Sequence, residues 1–117
     1  MNENAEQGLK FFNLRKYYEA HECFETAWRE TQDTSREFYR ALLQLSAGFY
    51  RLTQNRPSAA RKFFTHALKW LKQFPDHHRG FALDELRSWT EMLIRAIDDG
   101  KTTDDIISEH YQPIQKK

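Results

Sequence analysis

From Phe38 to Leu52 the large apolar residues stand at Phe38, Leu42, Leu45, Phe49 and Leu52, in steps of four, three, four and three. Only a helix with one buried face produces that rhythm over so long a run. The same period returns at Ala60, Phe63, Phe64, Ala67, Leu68 and Leu71, and again at Leu86, Trp89, Leu93, Ile94 and Ile97. Helix-ending residues fall between these runs, at Asn55-Arg56-Pro57-Ser58, across Phe74–Gly80 and at Asp99-Gly100. With only four Gly and three Pro in 117 residues, the chain reads as all-α. The expected architecture is a single-domain bundle of about five helices, a short first helix over residues 5–14 and then four longer antiparallel ones. Residues 1–110 form that domain and 111–117 a C-terminal tail, with Ile114 as the residue able to dock.

Local signals set the expected helix starts. Thr34 with Glu37 has the S/T-x-x-E spacing of a capping box, so the third helix begins there. Pro57 suits the first turn of a fourth helix reaching Gln73. Asp84 is the expected cap of the last long helix, and Asp104 to His110 adds one more turn. Ala41, Ser46, Ala47 and Gly48 are small enough for another helix, the second, to approach closely.

The densest chemistry lies in Tyr17-Tyr18-Glu19-Ala20-His21-Glu22-Cys23-Phe24-Glu25-Thr26-Ala27-Trp28. On a helical wheel Cys23, Ala27, Ala20, Phe24, Tyr17 and Trp28 share an arc of about 140°. His21 and Glu25, at i and i+4, sit at the edge of that face, with Glu22 further out and Glu19 on the solvent side. One reading makes His21 and Glu25 a half-buried polar pair, with Gln44 as hydrogen-bond partner. The other makes them two metal ligands, since His-Glu-x-x-Glu resembles the zinc motif H-E-x-x-H with a carboxylate in place of the second imidazole. The third ligand would then be His66. Structural packing is the preferred reading, so no metal or other cofactor is expected. His77 and His78 read as a solvated turn.

Cys23 is the single cysteine and lies on the buried arc, so no intramolecular disulfide forms, in keeping with a reducing cytoplasm. Met1-Asn2-Glu3-Asn4 has no apolar core of a signal peptide, and no run is apolar enough to span a bilayer. Charge is uneven. Residues 1–33 carry a net −3, residues 34–80 a net +7 and residues 81–117 a net −3. The basic middle faces acidic sections within the fold, or a partner of negative charge.

Ala20-x-x-x-Phe24-x-x-Ala27 recurs as Ala60-x-x-x-Phe64-x-x-Ala67. The pattern is similar to the second helix of a tetratricopeptide unit, Y-x-x-A-x-x-x-F-x-x-A, at a longer spacing than that repeat uses. Helical-hairpin packing of this kind makes a scaffold or partner-binding role credible.

Phe12-Asn13, Tyr17-Tyr18-Glu19-Ala20-His21-Glu22, Glu25 and Trp28, with Leu42-Leu43-Gln44-Leu45-Ser46-Ala47, Asn55, Ala59-Ala60 and Leu83-Asp84, resemble the signature of the bacterial and archaeal domain-of-unknown-function family 309. The resemblance runs from about Gly8 to Ile97. It implies an all-helical bundle, brings no assigned activity, and marks Glu19, His21, Glu22, Glu25, Trp28 and Gln44 as the candidate site cluster.

Three functions follow as expectations. The first is a small cytoplasmic binding or scaffold protein whose groove around Glu19–Trp28, between the second and third helices, receives another protein. The second is a metal-dependent hydrolase with His21 and Glu25 as ligands and Glu22 as general base. The third is weak nucleic-acid binding through Arg51, Arg56, Arg61, Lys62, Lys69 and Lys72, with no recognised nucleic-acid motif beside them. No nucleophile–base pair or phosphate-binding glycine loop is visible in the sequence.

Overall fold

The computed structural model describes residues 1–117. Six helices follow one another: α1 (Glu3–Asn13), α2 (Tyr17–Glu30), α3 (Ser35–Thr53), α4 (Pro57–Leu71), α5 (Leu83–Asp98) and α6 (Thr103–His110). Between α4 and α5 lies a two-stranded antiparallel ribbon, β1 (His77–His78) and β2 (Phe81–Ala82). The all-α reading holds, with α6 as a full sixth helix of two turns, where one extra turn was expected. Each helix packs on the next along the chain, and α6 also returns to α3. No helix is long and apolar enough to cross a membrane.

The echo between residues 20–27 and 60–67 is a structural repeat. Leu14 and Gln54 end α1 and α3 with the same backbone, φ −91° and ψ 6°. The next residues, Arg15 and Asn55, are left-handed. Lys16 and Arg56 then donate their N–H to the carbonyls of Phe11 and Arg51, five residues back. That six-to-one bond closes a Schellman turn. Gly100, with φ 78°, makes the same turn between α5 and α6, where Lys101 N–H donates to Ala96 O. The fold is thus three helical hairpins, each closed by one kind of turn.

Within each of the first two hairpins a phenylalanine ring packs directly against a glycine. A Cβ on Gly8 would come within 2.7 Å of the Phe24 ring, and one on Gly48 would collide with the Phe64 ring. Gly48 of α3 therefore admits a ring from α4, while α2 packs on α3 as the small residues suggested. Phe49 is the hub of the core. It stacks on Tyr17 (5.1 Å between centroids) and on Trp89 (5.4 Å), and meets Phe12 and Phe64 edge-on. Burial pushes the Tyr17 phenol up to about 12.

Two expected caps are replaced. Thr34 is already helical and caps nothing. Asp33 Oδ1 accepts from Ser35 N–H at 2.8 Å, and Glu37 faces Arg36 and Arg40. Asp84 lies inside the first turn of α5, whose leading N–H groups on Leu83 and Asp84 both donate to the carbonyl of Asp76. At the chain start, Asn2 Oδ1 accepts from Asn4 and Ala5, so α1 begins at Glu3, earlier than its apolar pattern indicated. His77-His78 is a strand and not a solvated turn. His78 Nε2 lies 3.1 Å from Ser35 Oγ, and its ring packs against Phe38 and Phe74. Arg79 and Gly80, both at positive φ, supply the type I′ turn behind it.

The C-terminal segment is held down. Ile114 is buried, and its backbone N–H and C=O pair with the Oδ1 and Nδ2 of Asn13 at 2.9 and 3.0 Å. Tyr111 O–H donates to Asn13 O, and Lys117 N–H to Gly80 O.

Candidate binding groove

The wheel order of α2 survives in the fold. Tyr17, Ala20, Phe24 and Ala27 are buried, His21, Cys23, Glu25 and Trp28 are half-buried, and Glu19 and Glu22 are exposed. Burial lowers the pKa of His21 below its ordinary value; Arg51 adds to this, and Glu25 and Glu22 oppose it. The ring lies parallel to Tyr18, which in turn leans on Tyr50. Glu25 is engaged by Arg29 Nη2 at 2.5 Å. The bond expected from Gln44 to His21 or Glu25 does not form, because Gln44 Oε1 is buried without any partner.

The metal reading fails on its donor set. His21, Glu25 and His66 are not brought together, and no group of three or more His, Cys, Asp or Glu side chains converges anywhere in the chain. Burial raises the Cys23 thiol, with Glu22 and Glu19 pushing the same way, so it is a weak nucleophile. The fold does create one pair that the sequence hides, Ser35 and His78. Ser35 is 1 % exposed, too enclosed for its oxygen to meet a substrate, so the pair fastens the ribbon to α3.

What the fold assembles is a groove of about 440 Å³ along α3, walled by α2 and α4. Trp28 comes from α2, Arg40, Leu43 and Gln44 from α3, and His66, Lys69 and Trp70 from α4. The Arg40 guanidinium lies 4.7 Å from the Trp28 ring and 4.2 Å from the Trp70 ring, and its Nε is 3.3 Å from Glu37 Oε2. Arg36 covers Trp28 at 4.5 Å, and Lys69 lies over Trp70 at 5.2 Å. Stacking of this kind holds the cation in place without neutralising it. Trp28 Nε1 is sealed from water with no acceptor, as Gln44 Oε1 is with no donor.

Of the candidate cluster, the groove therefore takes Trp28 and Gln44. His21 and Glu25 stand further along α2, and Glu19 and Glu22 face solvent. His66 belongs to the groove wall. The sequence missed Arg40 and Trp70; Leu43 appeared only within the family signature and Lys69 only among the basic residues of the middle section. The one local trace is spacing: Arg40 and Gln44, like His66 and Trp70, are i and i+4 on the flank of an apolar face. Of the basic residues in the nucleic-acid reading, Arg61 is bound to Asp98 through two bonds and Arg51 to Gln54.

A larger depression of about 580 Å³ lies between α5, α6 and the C-terminal segment. Its buried indole is already satisfied, since Trp89 Nε1 donates to His110 O at 2.6 Å. It includes nothing from α2, so the smaller groove is the better candidate.

Residues 5–63 match the family described as Domain of unknown function (DUF309). An "Uncharacterized protein" of Aquifex aeolicus (strain VF5) is 26% identical over 84 residues, which is 71% of this chain and 25% of that protein. The chain thus spans about a quarter of the length of that curated relative.

Proposed function

The chain belongs to the DUF309 family of domains of unknown function, and we propose for it a binding role, in which the groove at the Trp28 end of the Glu19–Trp28 segment receives another protein. One observation carries this reading. Buried polar atoms are nearly always paired, and each one left alone costs about 1–3 kcal/mol. Trp28 Nε1 and Gln44 Oε1 both lack a partner, and both residues line this groove. A cost concentrated at one place supports a surface kept for a group from outside the chain. Catalysis has less support, because His21 bonds to no carboxylate or nucleophile and Glu25 is occupied by Arg29.

Site-specific photo-crosslinking tests the reading. A photoreactive residue replacing exposed His66 on the groove is compared with one replacing exposed Glu91 on α5. The expected result is a discrete adduct from position 66 that Trp28→Ala removes, with none from position 91. The same adducts at both positions, or none at 66, would overturn it.

A further inference from the structure

We infer that the occupant of this groove is an acidic peptide segment, an inference that rests on the binding role just proposed. The groove is lined by two cations, Arg40 and Lys69, and one imidazole, His66; the one carboxylate at hand, Glu37, is shared by Arg40 and Arg36, which leaves the wall net positive. A third cation, Arg36, backs the Trp28 ring. Arg40 is held on two indoles and against Glu37, so little side-chain entropy is lost when an anion meets it. A carboxylate entering here gains charge-assisted hydrogen bonds from groups already in position.

The orphaned atoms specify the rest. Trp28 Nε1 offers one N–H, and Gln44 Oε1 lacks one. A peptide unit carries one acceptor and one donor and answers both. A phosphodiester or a DNA backbone presents acceptors to Trp28 but no donor to Gln44. Both atoms are sealed from water, so the segment reaches them as the indole or the amide turns, and that turn gives a fluorescence signal. The groove volume lies within the ~300–1,000 Å³ of small-ligand sites, which suits a few residues of chain.

The test is a titration of the whole protein followed by tryptophan fluorescence and calorimetry. The probes are a short capped peptide of Glu, Asp and Leu, its Gln and Asn counterpart, a Lys and Leu peptide, and a short single-stranded deoxythymidine oligonucleotide. The acidic peptide is expected to bind one per chain, more weakly as salt rises. Arg40→Gln and Lys69→Gln should each weaken it by about ten- to a hundredfold. Lys69 is exposed, so its variant keeps the fold if Arg40→Gln does not, and circular dichroism checks both. If the amide or basic peptide binds as well, and Gln44→Leu abolishes it, the acidic preference is wrong while the groove remains a binding site. Preferential binding of the oligonucleotide overturns the peptide assignment. If no probe binds, the acidic-peptide inference falls, and the crosslinking at position 66 decides separately whether the groove has any occupant.

Discussion

Arg15 and Asn55, forty residues apart, both turn the chain through left-handed backbone, at φ 62° and 56°. Each follows a helix that ends in the same dihedrals and precedes one whose phenylalanine covers a glycine of its predecessor. Arg15 places its guanidinium 4.1 Å over the Tyr111 ring, and Asn55 Oδ1 accepts from Thr103 Oγ1 at 3.1 Å. The turn thus carries side chains that reach the last hairpin and the C-terminal segment.

At Asn55 the left-handed backbone decides the effect of substitution. Asn55→Ala should destabilise by about 1–2 kcal/mol, because a Cβ without a local hydrogen bond is disfavoured there. Asn55→Gly should recover most of that loss. Urea melts of the two variants measure the difference, and equal midpoints would show that the backbone conformation is not what matters.

Gly48→Ala puts a methyl into the Phe64 ring. Alanine is intrinsically the better helix former by about 1 kcal/mol, so any net loss reports the collision. The expected loss is about 1–3 kcal/mol. Phe64→Leu in the same chain should relieve part of it, and a double-mutant cycle gives the coupling.

Gln44→Met should stabilise the chain by about 1 kcal/mol, since it removes a buried acceptor that bonds to nothing. A higher denaturation midpoint together with weaker binding at the groove is the expected signature. A lower midpoint would mean that the amide is satisfied in solution.

Stability should fall on mild acidification. Burial holds His78 below its ordinary 6.5, Arg79 adds to this, and Asp33 opposes it; burial likewise lowers His21. The unfolded chain therefore takes up protons that the folded chain refuses. The contribution is complete above pH 6.5 and is lost as pH drops through the lowered folded values. Melting temperatures measured across that window should decline, and the double variant His21→Gln, His78→Gln should flatten the curve. An unchanged slope would place the titration elsewhere.

Asn13→Ala removes both bonds to the Ile114 backbone and should cost about 1–3 kcal/mol. Amide exchange at Ile114 reads it directly, and protection that survives the change would show that apolar burial alone holds the segment.

Much of this fold can be read from spacing. The period of Phe38 to Leu52 and the matched Ala20/Phe24/Ala27 and Ala60/Phe64/Ala67 runs mark helices and hairpins, because helix burial leaves a local imprint on the chain. What could not be read is what depends on distant partners. The Asp76 carbonyl that caps α5, the Ser35–His78 pair and the ribbon too short to show alternation leave no local pattern. The groove divides the same way. Trp28 and Gln44 lie in segments singled out in the sequence, whereas Arg40 becomes a pinned cation only when α2 and α4 bring an indole to either side of it.

The clasp of Asn13 on Ile114 has one more consequence. Stacks of helical hairpins ordinarily fray from their free ends, each unit leaning only on its neighbour. Here residues 111–117 pair with the first hairpin through Asn13 and bury Ile114, so the segment after the third hairpin leans on the first. Melting is expected to be all-or-none, and losing these contacts together to bring back the end-first fraying of an open array.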